Sequence, residues 1–289
     1  MKESSTLPFS VIRVEGHMGS VASDVLAIEE PLEIRIAFGP KEGRSVKNIS
    51  VTMRTPGNDE ELATGFLFTE GIISQKAELS AVAHRFISCA EDRENVIQVE
   101  LTEEAIPKLP QTDRNFYTTS SCGVCGKGSI EAIRTVSTYQ RPFKDGHTIQ
   151  EEVLLRLPHL LRQQQELFEV TGGLHASALF TAKGELLLLR EDVGRHNALD
   201  KVLGAALEKD WMPLDETILL LSGRASFELI QKAAMAGICI VAAIGAPSSL
   251  AVQLANEFDI TLVGFLRQNR FNIYTAGHRI LMNNYEDKN

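Results

Sequence analysis

The sequence has few cysteines and no excess of positive charge. Only 4 of its 289 residues are cysteine, and 29 Lys and Arg stand against 38 Asp and Glu, a net charge of −9. So few cysteines exclude a disulfide-stapled scaffold. The negative balance argues against a general nucleic-acid binder, whose affinity comes from neutralising phosphates. Any anionic ligand must therefore find a local basic pocket.

Long hydrophobic runs are also missing. The most apolar stretch, Ala233 to Ala246, is interrupted by Gly237 and Gly245 and ends at Pro247, so it is too short to span a membrane. The first residues have no apolar run of the length that a signal peptide needs. We therefore expect a cytoplasmic protein without a membrane or nucleic-acid partner. Its hydrophobic content of 44% is that of an ordinary globular chain.

The length favours two domains, with a boundary in the polar segment near residue 115. Residues 1–115 are predicted to form a small α+β domain. The alternating segments 32–38 and 96–101 indicate strands, and the acidic residues 59–61 suit the start of a helix that ends before Gly71.

Residues 116–289 are predicted to form an α/β domain. The apolar spacing over 153–161 indicates a helix, and segments 174–181 and 185–190 indicate a β-hairpin. After a further helix, the apolar runs 217–221, 238–244 and 260–266 alternate with two helices. This βαβαβ order predicts a parallel sheet whose post-strand loops meet at its carboxyl edge, where ligands usually bind.

Those three loops read SGRAS, GAPSS and FLRQNR. The first two lead into helix N-termini, which favour anions, although Ser222 and Ser248 could simply be helix N-caps. His196 is a candidate ligand contact. The predicted edge also gathers arginines that suit phosphates, unless each is a solvated charge or half of an ion pair. These arginines are Arg190, Arg195, Arg224, Arg267 and Arg270.

Cys122 and Cys125 form a CxxC motif among glycines, close to Lys127. A cysteine near a lysine and a helix N-terminus should have a lowered pKa, the condition for nucleophilic sulfur chemistry. A zinc site and a thioredoxin-like redox pair are the alternatives, but no second ligand pair completes a zinc site. A sulfur-carrying thiol fits best. Cys89 and Cys239 lie in or beside apolar runs and are predicted to be inert.

A zinc-dependent nucleobase deaminase is a further alternative. Such enzymes use His-x-Glu followed by Pro-Cys-x-x-Cys, whereas here the motif begins at His175, the glutamate position holds Ser177 and the CxxC comes earlier. The proton shuttle of that mechanism is therefore missing, and we expect no bound zinc and no resident metal.

Five segments together resemble the FdhD/NarQ family of formate dehydrogenase accessory sulfurtransferases. They are TPGNDEELATGFLFTEGII, CGVCGKGS, EDVGRHNALDKVLG, SGRASFELIQKAAMAGI and GFLRQNRFNIYT, within about residues 50 to 280. The resemblance implies an α/β fold with a cytidine deaminase-like three-layer core, built from the β-hairpin plus βαβαβ and preceded by the smaller N-terminal α+β domain. It also implies a protein that takes persulfide sulfur from a cysteine desulfurase and passes it to molybdenum.

The molybdenum belongs to a bis-(molybdopterin guanine dinucleotide) cofactor, the bound substrate, of which GDP is a fragment analogue. The resemblance places the persulfide on Cys122, with Cys125 as its companion, and the client is formate dehydrogenase. The cofactor-binding segment falls on Phe265, Leu266, Arg267, Gln268, Asn269 and Arg270, to which the loop analysis adds Arg224, Ser222 and His196. A homodimer is possible. The alternative is a non-catalytic cofactor-binding chaperone with a structural CxxC.

Overall fold

The computed structural model describes residues 5–85, 95–109, 139 and 148–283. The CxxC loop at 122–125 and Cys89 lie outside the described residues, as does the predicted boundary at 115. Among the helices of the described ranges, none is long and apolar enough to cross a membrane.

The first part of the chain contains a hairpin and a four-stranded sheet. Among the described residues, strands β1 (Thr6–Glu15) and β2 (Met18–Ala27) form a two-stranded sheet of their own. The sheet has the order β4-β3-β6-β5, with β3 (Glu30–Phe38) parallel to β6 (Val96–Leu101), and both strands are confirmed. Its other elements are β4 (Ser45–Arg54), helix α1 (Asp59–Thr69), a 3-10 turn (Lys76–Glu78) and β5 (Leu79–His84).

The second part contains a six-stranded mixed sheet with the order β13-β12-β11-β10-β8-β9. Its strands are β8 (His175–Thr181), β9 (Leu186–Asp192), β10 (Thr217–Leu221), β11 (Ile240–Ala243), β12 (Thr261–Gly264) and β13 (Asn272–Thr275). Its helices are α2 (Glu151–Gln164), α3 (Glu166–Thr171), α4 (Arg195–Glu208), α5 (Phe227–Met235) and α6 (Ser249–Glu257). The short strands β7 (Ile149–Gln150) and β14 (Ile280–Leu281) pair with each other, and a 3-10 turn (Gly277–Arg279) precedes β14.

Pairing within this sheet confirms the predicted hairpin and βαβαβ unit. Strands β10, β11 and β12 are parallel, and β8 runs antiparallel to β10. The loops after β10, β11 and β12 therefore share one edge with the start of β8 and the end of β9. The mixed α/β class is confirmed, and the cytidine deaminase-like detail stays a prediction.

Helices cover both faces of this sheet because successive strand residues alternate in direction. On one face, Leu219 and Val241 pack with the buried sides of α4, α5 and α6. On the other face, Ile218 and Ile240 pack with α2, whose buried residues Val153, Leu154, Leu157 and Leu161 follow the helical spacing. The result is a three-layer arrangement.

Helix α1 of the first part crosses α4 of the second with almost no space between the backbones. A Cβ atom on Gly204 would lie 1.9 Å from the backbone oxygen of Glu61, and one on Gly65 would lie 1.9 Å from that of Asp200. Only glycine permits this approach. The buried ion pair of Lys232 and Asp200, 2.9 Å apart, lies beside the crossing. The core is thus continuous from α1 to the six-stranded sheet.

Candidate functional site

The carboxyl-edge loops of the six-stranded sheet bind one another through their backbones. The Gly245 amide donates to the Gly223 oxygen at 2.9 Å, and the Phe265 amide donates to the Gly245 oxygen at 3.1 Å. A Cβ on Gly245 would lie 2.8 Å from the backbone nitrogen of Arg224, so this position requires glycine. The three loops therefore form one continuous rim.

The serines of this rim hold the rim together. The Ser248 hydroxyl accepts from the Ala251 amide at 3.2 Å, so its interpretation as a helix N-cap is confirmed. The same interpretation is wrong for Ser222, because the residue at the N-cap of α5 is Ser226. The Ser222 hydroxyl accepts instead from the Ala176 amide at 2.8 Å and ties the end of β10 to the start of β8.

The third loop, residues 265–270, is exposed except at Leu266. Phe265 has a φ of 53° and a 42% exposed side chain. The Leu266 side chain is fully buried in the core, and its amide donates to the Ala243 oxygen at 3.1 Å, so Leu266 anchors the loop. The Arg267 guanidinium donates to the oxygens of Ile244 at 2.6 Å and Leu266 at 2.8 Å. Gln268, Asn269 and Arg270 are exposed.

Of the five arginines predicted to lie at the ligand-binding edge, one is not available to a ligand. Arg190 is half of an ion pair, because its Nε and Nη2 donate to the Glu61 carboxylate at 2.5 and 2.6 Å. These bonds raise the pKa of Arg190 and link the hairpin to helix α1. Such bidentate pairing satisfies the guanidinium fork, so Arg190 is structural. Arg195, Arg224, Arg267 and Arg270 remain along the edge.

His196 contacts two side chains of the 226–228 segment. Its Nε2 lies 3.4 Å from the Ser226 hydroxyl and 3.7 Å from a carboxylate oxygen of Glu228. The interaction with His196 lowers the pKa of Glu228 to about 2, so the carboxylate remains charged and holds the imidazole ring. A ring fixed at Nε2 can offer only Nδ1 to a ligand.

His175, at the start of β8, lies among positive charges at the same edge. Burial, the largest effect, lowers the pKa of His175, and the charge of Arg195 lowers it further. His196 and Arg224 act in the same direction, while Asp192 opposes them. This region is therefore positive inside an acidic protein.

Asp192 and Lys201 form a buried ion pair beneath the turn of residues 192–197. The sequence analysis did not predict this ion pair. The Lys201 ammonium lies 2.8 Å from Asp192 Oδ2, and both residues are at most 1% exposed. The other oxygen of Asp192 accepts from the amide of Gly194 at 2.8 Å and from the side chain of Asn197 at 3.1 Å. The pair therefore fixes the turn that carries Arg195 and His196. No local motif marks it.

Cys239, the cysteine among the described residues, has the surroundings expected of an inert thiol. Cys239 is fully buried, its Sγ lies 2.8 Å from the backbone oxygen of Asp215, and burial raises its pKa to about 11. Such a thiol carries almost no thiolate at neutral pH. Any thiol chemistry of this chain must come from the remaining cysteines.

The zinc content of the purified protein tests the deaminase alternative. Ser177, at the position of the catalytic glutamate, is 1% exposed within β8 and cannot move a proton as a carboxylate does. We expect purified protein to contain far less than one zinc per chain by plasma emission spectrometry, with a zinc-loaded deaminase as the positive control. One tightly held zinc per chain would revive the deaminase or structural-zinc hypothesis.

The protein is a mixed α/β protein with a basic, glycine-rich rim at the carboxyl edge of its six-stranded sheet. Comparison with known protein families then shows which family it belongs to. The FdhD/NarQ family profile matches residues 27–281. The chain therefore belongs to the FdhD/NarQ family, as its motifs indicate.

Individual relatives are similar to this chain over nearly its whole length. The sulfur carrier protein FdhD of Mycolicibacterium paratuberculosis is 54% identical over 89% of this chain and 92% of its own. The sulfur carrier protein FdhD of Sulfurisphaera tokodaii is 40% identical over 94% and 97%. The crystal structure of a formate dehydrogenase accessory protein from Desulfotalea psychrophila shares the fold, with a TM-score of 0.70, 23% identity and coverage of 96% and 100%.

Proposed function

We propose that this protein is a sulfurtransferase that carries sulfur on Cys122 and delivers it to the molybdenum of a bis-(molybdopterin guanine dinucleotide) cofactor. The observation that best supports a cofactor at the sheet edge is its charge: Arg195, Arg224, Arg267 and Arg270 lie along one edge of a chain whose net charge is −9. The relatives named sulfur carrier protein support the sulfur chemistry.

The first step is a thiol–persulfide exchange. The Cys122 thiolate attacks the terminal sulfur of the donor's cysteine persulfide, the donor S–S bond breaks, and the donor cysteine leaves as a thiolate. Cys122 then holds a persulfide. Its Gly-rich surroundings, CGVCGKGS, supply small residues around the reacting sulfur.

In the second step the terminal sulfur moves to molybdenum and Cys122 returns to the thiolate. The electron pair of the S–S bond stays on Cys122, the metal supplies the electrons of the new bond, and the persulfide proton is released. The chain's own residues bind and orient the cofactor: the 265–270 loop and Arg224 hold its phosphates, and Glu228 orients His196 beside them.

The proposed partners follow from this chemistry. The donor is a cysteine desulfurase, the client is formate dehydrogenase, and we place the reaction in the cytoplasm. A homodimer is compatible with the proposal. The second thiol of the motif, Cys125, has three candidate roles, as a resolving, protecting or idle thiol, and a Cys125→Ala variant separates the resolving role from the idle one.

Binding can be tested separately from sulfur transfer. We expect Arg267→Ala combined with Arg270→Ala to weaken GDP binding by at least about 10-fold, because charge-assisted phosphate contacts contribute about 1.5 to 3 kcal/mol each. Calorimetric titration of GDP measures this. Arg270→Ala alone is the cleaner variant, because Arg267 also holds the oxygens of Ile244 and Leu266.

The matched control removes the same charge elsewhere. Arg156 and Arg162 are exposed on α2, which covers the sheet on the side away from α5 and α6, so Arg156→Ala with Arg162→Ala should leave GDP affinity unchanged. Persulfide formation on Cys122 should survive in both double variants. Unchanged GDP affinity in the Arg267/Arg270 variant would mean that the ligand binds elsewhere.

The alternative is a binding chaperone for the cofactor in which the CxxC is structural. It predicts GDP binding without any persulfide on Cys122. Intact mass spectrometry after incubation with a cysteine desulfurase and cysteine separates the two, because only the sulfurtransferase gains the mass of a sulfur atom.

A further inference from the structure

The β8 end of the rim holds a half-buried histidine, His175, and Arg195, which the proposed cofactor contacts do not use, beside Arg224, which they already assign to a phosphate. We propose that His175, Arg195 and Arg224 form a second oxyanion subsite, which binds a phosphate-type group of the ligand separate from the group at Arg267. This extension rests on the proposed function only in assigning both anionic groups to one ligand. The subsite itself rests on the geometry below.

The imidazole of His175 is held against a loop that has no side chain to shield it. A Cβ atom on Gly223 would lie 3.2 Å from His175 Nδ1 and 3.4 Å from Cε1, closer than neighbours normally approach. Glycine at this position therefore allows the loop backbone and the ring to meet. Arg224, the next residue, is exposed and near enough for its charge to act on the ring.

Arg195 supplies the observation that points to a ligand. Its Nε is buried and has no hydrogen-bond partner within the described part of the chain. A buried donor of a charged group without an acceptor is costly and unusual. Arg190 shows the ordinary outcome, since its guanidinium is paired with Glu61. The nearest carboxylate to Arg195 in the turn, Asp192, is already bound to Lys201.

An oxyanion between these side chains satisfies all of them. It accepts from Arg195 and Arg224, and it favours the protonated form of His175. Glu228 also lies near this end, and it is engaged with His196. Within the part of the chain that the structure describes, the carboxylates of Asp192 and Glu228 are therefore both engaged with other groups, and an anion from outside the chain is the complementary partner of the two guanidiniums and of the protonated imidazole.

The spacing of the two subsites defines the ligand. Three strand steps separate β12, which precedes the Arg267 loop, from β8, which begins at His175. Neighbouring strands lie about 4.8 Å apart, so the two ends are separated by roughly 14 Å. The phosphates of one nucleoside diphosphate share a bridging oxygen and cannot reach both ends. A ligand with two separated phosphate groups, as in a cofactor with two nucleotide arms, fits this spacing better than one nucleoside diphosphate does.

Histidine NMR titration with sulfate tests the subsite, because sulfate keeps its charge throughout the titration of a histidine. The chain has 7 histidines, and His175→Gln assigns the relevant resonance. We expect saturating sulfate to raise the apparent pKa of His175 and, by linkage, sulfate to bind more tightly as the pH falls through that pKa. In Arg195→Gln the sulfate-dependent shift should be lost.

Three further samples make the outcome decisive. Arg267→Ala should keep the sulfate effect on His175, because that arginine belongs to the other end, and Arg195→Lys, which keeps the charge, should retain part of it. Saturating GDP should also leave the sulfate effect in place. If sulfate does not move the His175 titration, or if GDP abolishes the effect, the second subsite is overturned. A sulfate effect without any GDP binding would keep the subsite and contradict the proposed cofactor.

Discussion

Cys122→Ala is expected to abolish both persulfide formation and the maturation of formate dehydrogenase, while the fold and GDP binding remain intact. The reason is chemical: a methyl group cannot hold a sulfane sulfur, and the described thiol of the chain, Cys239, is buried with its pKa raised to about 11. Intact mass spectrometry of protein incubated with a cysteine desulfurase and cysteine measures loading. Formate oxidation by a client enzyme matured with the variant measures delivery.

Two cysteine variants serve as controls. Cys239→Ala removes a thiol from the core and should leave sulfur loading at the wild-type level. Cys125→Ala separates the possible roles of the second thiol: normal loading with poor delivery indicates a resolving role, and normal values of both indicate an idle one. If the Cys122→Ala protein still matures formate dehydrogenase, Cys122 is not the carrier. Calorimetry with GDP on the same sample shows whether the fold has survived.

The strands and helices of the six-stranded sheet could be predicted because their signals are local. The runs at 217–221, 238–244 and 260–266 and the periodic helices between them determine a βαβαβ unit without any knowledge of distant contacts. The hairpin of residues 6–27 gave no such signal. Its apolar residues do not alternate regularly with polar ones, and they do not line a buried face of the hairpin. Ile12 and Val21, for example, are 75% and 81% exposed.

The candidate site was only partly predictable because several of its residues depend on partners far along the chain. In the sequence, Arg190 resembles the other arginines. It is structural because the fold brings Glu61 of helix α1 into an ion pair with it. Asp192 and Lys201 form a buried pair that fixes the 192–197 turn, and Lys201 also binds the oxygen of Thr55 from the first part of the chain. Such contacts leave no spacing pattern to read.

The glycines of the crossing between α1 and α4 give the largest expected effect on stability. From sequence, Gly65 and Gly204 simply weaken two helices, and replacing a helical glycine with alanine ordinarily stabilises by about 1 kcal/mol. Here the added methyl of Gly204→Ala would lie 1.9 Å from the backbone oxygen of Glu61 and 2.9 Å from the backbone nitrogen of Gly65. Backbone atoms cannot rotate away as a flexible side chain can.

Gly204→Ala must therefore push the two helices apart, and the motion also disturbs the neighbouring buried pair of Lys232 and Asp200. Overpacking of this kind costs about 3 kcal/mol or more, so we expect Tm to fall by at least roughly 6 °C in thermal unfolding. Gly173→Ala is the matched control, because a Cβ there has its nearest neighbour at 3.9 Å, and it should leave Tm unchanged or slightly higher. A Gly204→Ala protein as stable as the wild type would show that the helices do not meet at this crossing.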